Sequence, residues 1–327
     1  METLAEIAEA INKKDHFLLV GHIDPDGDCI GSLFGLKWCL EELNKESKVL
    51  LTQSPDDFFD NLAFTDDEYN QLDDFSFNQL EWPEFNIIAL DAGDRGRLGA
   101  ADNLLDHKNV SSVINIDHHI DNTDYGDLNY INSDKAAVGV IIYELAALME
   151  IPVNKKIGEA LATAIIADTG SFRYENTTSR VMRIIASLME VGVDIYQINR
   201  MLYSNNSYES VILKGLALST LEISEDGKIA WLYIDNDMFK KAGIKEHDSM
   251  GVVGYARDIK GVEVGISFVE QEDEGVKISF RSNEYCSVNE IAAKFSGGGH
   301  PRAAGCKIDF NLTSAIEQVV EEVKKCV

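Results

Sequence analysis

Residues 113–119 read Val-Ile-Asn-Ile-Asp-His-His, a buried-strand pattern that runs directly into a carboxylate and two imidazoles. The same order occurs twice upstream. Phe17-Leu18-Leu19-Val20 is followed by Gly21-His22-Ile23-Asp24-Pro25-Asp26-Gly27-Asp28, and Ile87-Ile88-Ala89-Leu90 by Asp91-Ala92-Gly93-Asp94. Short continuous apolar runs mark strands buried on both faces of a parallel sheet. Helical patterns separate them at about Cys29–Leu43, Leu98–Leu105 and Ala136–Met149, and a weaker strand pattern covers Lys48–Leu51. Strand–helix alternation predicts a doubly wound, mostly parallel α/β layer.

Beyond this layer, Asn154–Leu221 is mostly helical, with breaks at Gly170-Ser171 and Val191-Gly192-Val193. The texture then changes. Ile229–Ile234, Val262–Val269 and Val276–Arg281 read as strands, with turn signals at Asp226-Gly227 and Glu274-Gly275. A helix at Ser287–Lys294, a glycine run and a closing helix at Ser314–Lys325 follow. The expected organisation is an α/β domain over 1–190, a helical linker over 191–220 and a smaller α+β domain over 221–327. The length of 327 residues suits two domains.

Composition narrows the functional classes. With 45% hydrophobic and 26% charged residues, the chain is not a largely disordered one. Its formal charge of −27 argues against long duplex nucleic acid as a partner, because that affinity comes from cations. A short anionic substrate at one local site remains compatible. The five cysteines are odd in number and form no CxxC pair, which predicts reduced thiols. METLAEIAEA has no secretory character, and Ala136–Met149 is too short to span a bilayer and contains Glu144. The expectation is a cytoplasmic protein with no membrane partner.

In open parallel sheets, ligands bind beyond the carboxyl ends of the strands. Three strands therefore deliver His22, Asp26, Asp28, Asp91, Asp117, His118 and His119 to one edge. Asp168 adds a carboxylate where Ile165-Ile166-Ala167-Asp168-Thr169-Gly170 ends a helix. Each residue alone has an ordinary reading: Asp28 as a helix cap, Asp91 as a turn former, His118-His119 as a hydrogen-bonded loop. Together the carboxylates would repel one another, and bound cations remove that penalty. Oxygen donors with imidazole suit Mn²⁺ or Mg²⁺ first, then Fe²⁺, Co²⁺ or Zn²⁺. There are enough donors for two ions, the usual apparatus of phosphoester hydrolysis.

The second domain carries Ser296-Gly297-Gly298-Gly299-His300-Pro301-Arg302. Consecutive glycines let backbone N–H groups approach an anion, and His300 and Arg281 could grip a phosphate. Between 277 and 307, Lys277, Arg281, Lys294, Arg302 and Lys307 outnumber Glu284 and Glu290, a local reversal of the chain's charge. Cys286 and Cys306 read as packing residues.

Asp117-His118-His119, with His22, Asp26, Asp28, Asp91 and Asp168, resembles the DHH phosphoesterase superfamily, and Gly297-Gly298-Gly299-His300 resembles its DHHA1 domain. The pattern is most like the bifunctional oligoribonuclease and pAp-phosphatase group. The resemblance implies two divalent ions, Mn²⁺ foremost. One would be held by His22, Asp26 and Asp91, the other by Asp28, Asp91, His118 and Asp168. Asp91, His118 and His119 would be catalytic, with His119 facing the scissile phosphate and Asp117 orienting the histidines. Arg281, Gly297, Gly298, Gly299 and His300 would bind the rest of the substrate. Asp24 is given no metal and Asp94 reads as a turn or supporting residue, while Arg173 and Tyr174, which follow the Asp168 motif, could touch substrate. The implied reaction is hydrolysis of short single-stranded oligoribonucleotides to mononucleotides, of 3′,5′-pAp to AMP and phosphate, or of both, by a hydroxide bridging the metals. A homodimer is also implied. The alternatives are a cyclic or linear dinucleotide phosphodiesterase, an exopolyphosphatase- or pyrophosphatase-like enzyme, and an inert nucleotide-binding module. A RecJ-like exonuclease would need more chain.

Overall fold

A computed structural model describes residues 2–52, 69–71, 82–244, 251–271 and 275–327. Glu274 of the expected 274–275 turn lies outside them. The chain forms two compact units, Met1–Asn205 and Asn206–Val327.

The first unit runs α1 (Leu4–Lys13), β1 (Phe17–Val20), α2 (Gly27–Glu42), β2 (Ser47–Leu51), β3 (Tyr69–Gln71), β4 (Phe85–Leu90), a 3-10 segment (Arg95–Ala101), α3 (Asp102–Leu105), β5 (Val110–Asp117), β6 (Leu128–Ile131), α4 (Val138–Leu148), α5 (Lys155–Asp168), α6 (Ser179–Glu190) and α7 (Ile195–Tyr203). The sheet order is β3-β2-β1-β4-β5-β6 with every pairing parallel. Strand order therefore reverses between β1 and β4, the switch point at which such sheets bind ligands. The apolar runs are continuous because both faces are covered. Phe17, Leu19, Ile88 and Leu90 join the helical core on one face, while Leu18, Val20, Ile87 and Ala89 pack with Leu98 and Leu104 on the other. The helix expected at Leu98–Leu105 is broken, because Gly99 takes a φ of +56° and divides a 3-10 turn from the four-residue α3.

A seam of small residues joins α2 to α5. A Cβ on Gly27 would collide with Ala167, one on Gly31 with the Ala160 carbonyl and Ala164, and one on Gly35 with Leu161. The helices are antiparallel, so the start of α2 meets the end of α5. That closeness brings Asp28 toward Asp168.

The second unit runs α8 (Tyr208–Leu218), β7 (Glu222–Ile223), β8 (Ile229–Ile234), α9 (Asn236–Ala242), α10 (Val253–Arg257), β9 (Val264–Gln271), β10 (Gly275–Ser282), α11 (Val288–Lys294), β11 (Gly298–His300), β12 (Ala303–Ile308) and α12 (Leu312–Val323). Its sheet order is β11-β12-β10-β9-β8-β7, antiparallel except for β8 with β9. The glycine run is thus an edge strand rather than a free loop. The helical stretch expected over 191–220 forms α7 and α8, one in each unit.

One cysteine expectation is corrected. Cys286 and Cys326 are joined as a disulfide, while Cys29, Cys39 and Cys306 are free and buried. The closing helix returns the chain end to the turn before α11, a proximity that spacing in the sequence does not show.

Gly31→Val is expected to destabilise the first unit by about 1–3 kcal/mol through overpacking of the α2–α5 seam. A urea midpoint unchanged from wild type would show that the seam tolerates separation.

Candidate metal centre

Asp91 follows β4 directly. It is 3% exposed, and its backbone adopts a left-handed φ of +59°, uncommon for a residue with a side chain. This turn aims the two carboxylate oxygens at different partners. Oδ2 lies 3.5 Å from His22 Nε2, and Oδ1 lies 3.6 Å from both His118 Nε2 and His119 Nδ1.

On the β1 side, Asp26 caps α2, its Oδ1 accepting from the Asp28 and Cys29 amides at 3.0 and 3.1 Å. It also lies 3.7 Å from His22 Nε2. His22 Nδ1 is 2.6 Å from the Ile23 carbonyl. A carbonyl only accepts, so Nδ1 carries a proton and Nε2 is the nitrogen that faces the carboxylates. Burial opposes charge on His22, yet Asp26 and Asp91 raise its pKa well above the ordinary value. Asp26 is largely exposed, and His22 and the two amides hold its carboxyl well below the usual range.

On the β5 side, His118 Nδ1 is 3.2 Å from the Lys135 carbonyl, which directs Nε2 inward by the same logic. That Nε2 lies 3.3 Å from Asp168, 3.6 Å from Asp91 and 3.8 Å from Asp28. Asp28 has a second task. Helix α4 has no side-chain cap of its own, and Asp28 accepts its Val138 and Gly139 amides at 2.6 and 3.0 Å, with Ser32 Oγ at 2.9 Å. Burial first, then neighbouring carboxylate charge, pushes Asp28 and Asp168 well above the ordinary carboxyl pKa.

Asp117 is fully buried. Its Oδ1 accepts from the His118 amide and from His119 Nδ1, each at 2.7 Å, and its Oδ2 from Asn122 Nδ2 at 2.6 Å. Burial opposes its charge, but the His119 bond holds it down at about 2. Burial likewise disfavours protonated His119, and the Asp117 bond overrides this, raising it to about 9.

These groups are positioned to hold a metal ion. Asp28, His118 and Asp168 offer ligand atoms within 4.8 Å of one another, as do Asp91, Asp117 and His119, and His22, Cys29 and Asp91. Cys29 was not singled out by the sequence. Burial pushes its thiol up to about 12, so the carboxylates and imidazoles remain the better donors. Ser32, Asn122, Lys135 and Arg97 were also missed, because their parts depend on tertiary neighbours. Asp94 caps the 3-10 segment through the Arg97 amide, and Asp24 is exposed with a φ of +52°. Arg173 engages the Gly170 carbonyl and lies over the Tyr203 ring.

In the second unit, Arg281, Ala303 and His300 stand in one register row across β10, β12 and β11. Opposed residues of neighbouring strands share a face, so Arg281 and His300 flank the small Ala303. Both are half-buried. Gly297 and Gly299 have a packing reason to be glycine, since a Cβ on either would strike β12, whereas Gly298 is open. Arg302 departs from the expected cationic patch. Its guanidinium donates to the Glu284 and Cys286 carbonyls and ties down the turn before α11.

The DHH family, N-terminal domain, matches residues 16–166, and the DHHA1 domain matches residues 226–327. A Thermus thermophilus protein named bifunctional oligoribonuclease and PAP phosphatase NrnA is 33% identical, the match covering 99% of this chain and 94% of that one. An exopolyphosphatase-related protein from Bacteroides fragilis superposes with a TM-score of 0.90 at 24% identity, covering 98% and 96% of the two chains. An exonuclease RecJ solved bound to manganese gives 0.54 at 14% identity, covering 100% and 95%. The chain belongs to the DHH family and carries its DHHA1 domain.

The raised pKa values of His22, Asp28 and Asp168 fix the sign of a pH effect. Ion-free, these groups hold protons that a cation must displace. Mn²⁺ affinity should therefore rise with pH, and calorimetry in buffers of different ionisation enthalpy should report proton release. Binding without release would contradict this protonation pattern.

Proposed function

We propose that the protein is a metal-dependent phosphoesterase that hydrolyses short oligoribonucleotides to mononucleotides, 3′,5′-pAp to AMP and phosphate, or both. The observation that carries this reading is Asp91, whose two oxygens address separate imidazoles on either side of it. That arrangement fits a carboxylate shared between two cations. His22, Asp26 and Asp91 would hold one, and Asp28, Asp91, His118 and Asp168 the other. The oxygen-rich donor set favours Mn²⁺ or Mg²⁺. Bound ions would supply Lewis acidity and acidify a water molecule to a nucleophile at neutral pH.

The chain's own groups do the rest. Asp117 fixes the His119 ring through Nδ1 and keeps it protonated at neutral pH, leaving Nε2–H to donate to a phosphoryl oxygen. Asn122 holds Asp117 in turn. Arg281 and His300, with the Gly297–Gly299 backbone, are suited to an anionic part of the substrate. The naming of the Thermus thermophilus relative as an oligoribonuclease and PAP phosphatase supports this substrate class.

A parallel assay tests the reading. Turnover of pAp, a 5′-phosphorylated diribonucleotide, c-di-AMP and pyrophosphate would be compared with Mn²⁺ and with Mg²⁺. The first two are expected to be the preferred substrates, and pyrophosphate as the best one would overturn the assignment. Asp91→Asn should lower kcat by at least about 100-fold, since it weakens donors to both ions. Arg281→Ala or His300→Ala should instead raise KM by about 10-fold or more with metal content unchanged. An equal loss of metal would show that these two residues do not act on substrate alone.

A further inference from the structure

Arg97 lies in the 3-10 segment after β4, exposed at the rim of the acidic cluster, with Nη2 3.3 Å from His22 Nδ1. That proximity cannot be a hydrogen bond when His22 Nε2 faces a cation. Nδ1 then carries its proton toward the Ile23 carbonyl, and the guanidinium nitrogen has only protons to offer. Two donors thus face each other, and this edge of Arg97 lacks an acceptor. Arg95, two residues earlier, shows the usual state of a cation on this surface, engaged by Asp102 and Asp106. Among the described residues no carboxylate pairs with Arg97 in this way, although acidic residues outnumber basic ones 56 to 29.

The backbone beneath Arg97 is fixed to the loop that presents His22. The Ile23 amide donates to the Arg97 carbonyl at 2.7 Å, and the Arg97 amide donates to Asp94 Oδ1 at 3.1 Å. Gly99, at a φ of +56°, presses against Ile23 so closely that a Cβ would collide with it. A guanidinium held beside the cluster with donors turned toward it matches the forked oxygens of a phosphate.

We propose that Arg97 is a substrate-phosphate contact of this site, its guanidinium taking an anionic oxygen of the phosphoryl group on the His22 side. The inference rests on the phosphoesterase reading above and adds a binding residue to it. It assigns Arg97 to anion binding and leaves the ions to the carboxylates and imidazoles.

The test uses the full chain loaded with Mn²⁺ and compares wild type with Arg97→Gln and Arg97→Lys. Inorganic phosphate binding is measured by calorimetry, Mn²⁺ affinity and stoichiometry separately, and KM and kcat on a 5′-phosphorylated diribonucleotide. Arg97→Gln is expected to weaken phosphate by about 10- to 100-fold and to raise KM, with Mn²⁺ binding unchanged. Arg97→Lys should recover part of the loss, since a lysine keeps the charge and loses the fork. Phosphate affinity equal in wild type and Arg97→Gln, or absent from wild type, would overturn the proposal. A parallel fall in Mn²⁺ affinity would also overturn it, making Arg97 a support for His22. Arg97-dependent phosphate binding by a wild type that hydrolyses no nucleotide would sink the functional reading while leaving this contact in place.

Discussion

Asp28, Asp91 and Asp168 converge on one imidazole, His118, in a largely buried space where each charge disfavours the others. The fold has to force that convergence. It does so with backbone and packing rather than with side-chain attraction. The parallel sheet ends β1, β4 and β5 at one edge, a left-handed turn aims Asp91 inward, and the glycine seam of α2 pulls Asp28 against the end of α5. Protons on the cluster relieve the repulsion when it holds no cation, and a divalent ion is the other way to relieve it.

Asp28 shows how structure and chemistry share a residue. Its oxygens cap α4 across the core while one of them faces His118. The cap draws helix and carboxylate together, so the position of the donor is set by the packing of two helices. The imidazoles are fixed in a similar way, with the Ile23 and Lys135 carbonyls anchoring the outer nitrogens of His22 and His118, and Asp117 anchoring His119. Each ring thus has one nitrogen fixed by a neighbour. This is a donor set organised in advance, which lowers the ordering cost of binding an ion.

The second unit uses sheet register for the same purpose. Arg281 and His300 are 19 positions apart in sequence but lie in one row, separated by Ala303. Glu263, buried beside β9, accepts the Glu284, Tyr285 and Cys286 amides, and Arg302 donates to the Glu284 and Cys286 carbonyls of that same turn. Of the five cations counted between 277 and 307, Arg281 therefore stands in that row, Lys294 pairs with Glu322, and Arg302 is committed to the turn.

The sequence by itself determined the central strands β1, β4 and β5, because apolar runs flanked by carboxylates and imidazoles have few other stable arrangements, and with them the set of groups brought to the sheet edge. The strands β6, β11 and β12, whose pairing depends on neighbouring strands, were not legible in it. It also carried the family, through motifs too dispersed to arise together by chance. Only the tertiary structure decided the directions. Which oxygen of Asp91 faces which ring, that Asp28 caps a helix 110 residues away, that Arg97 stands beside His22, that Arg302 serves the turn and that Cys286 meets Cys326 all depend on contacts between distant segments. Local periodicity records which face of an element is buried. It holds no information on the partner that face will meet, because that partner is selected by the packing of the whole core.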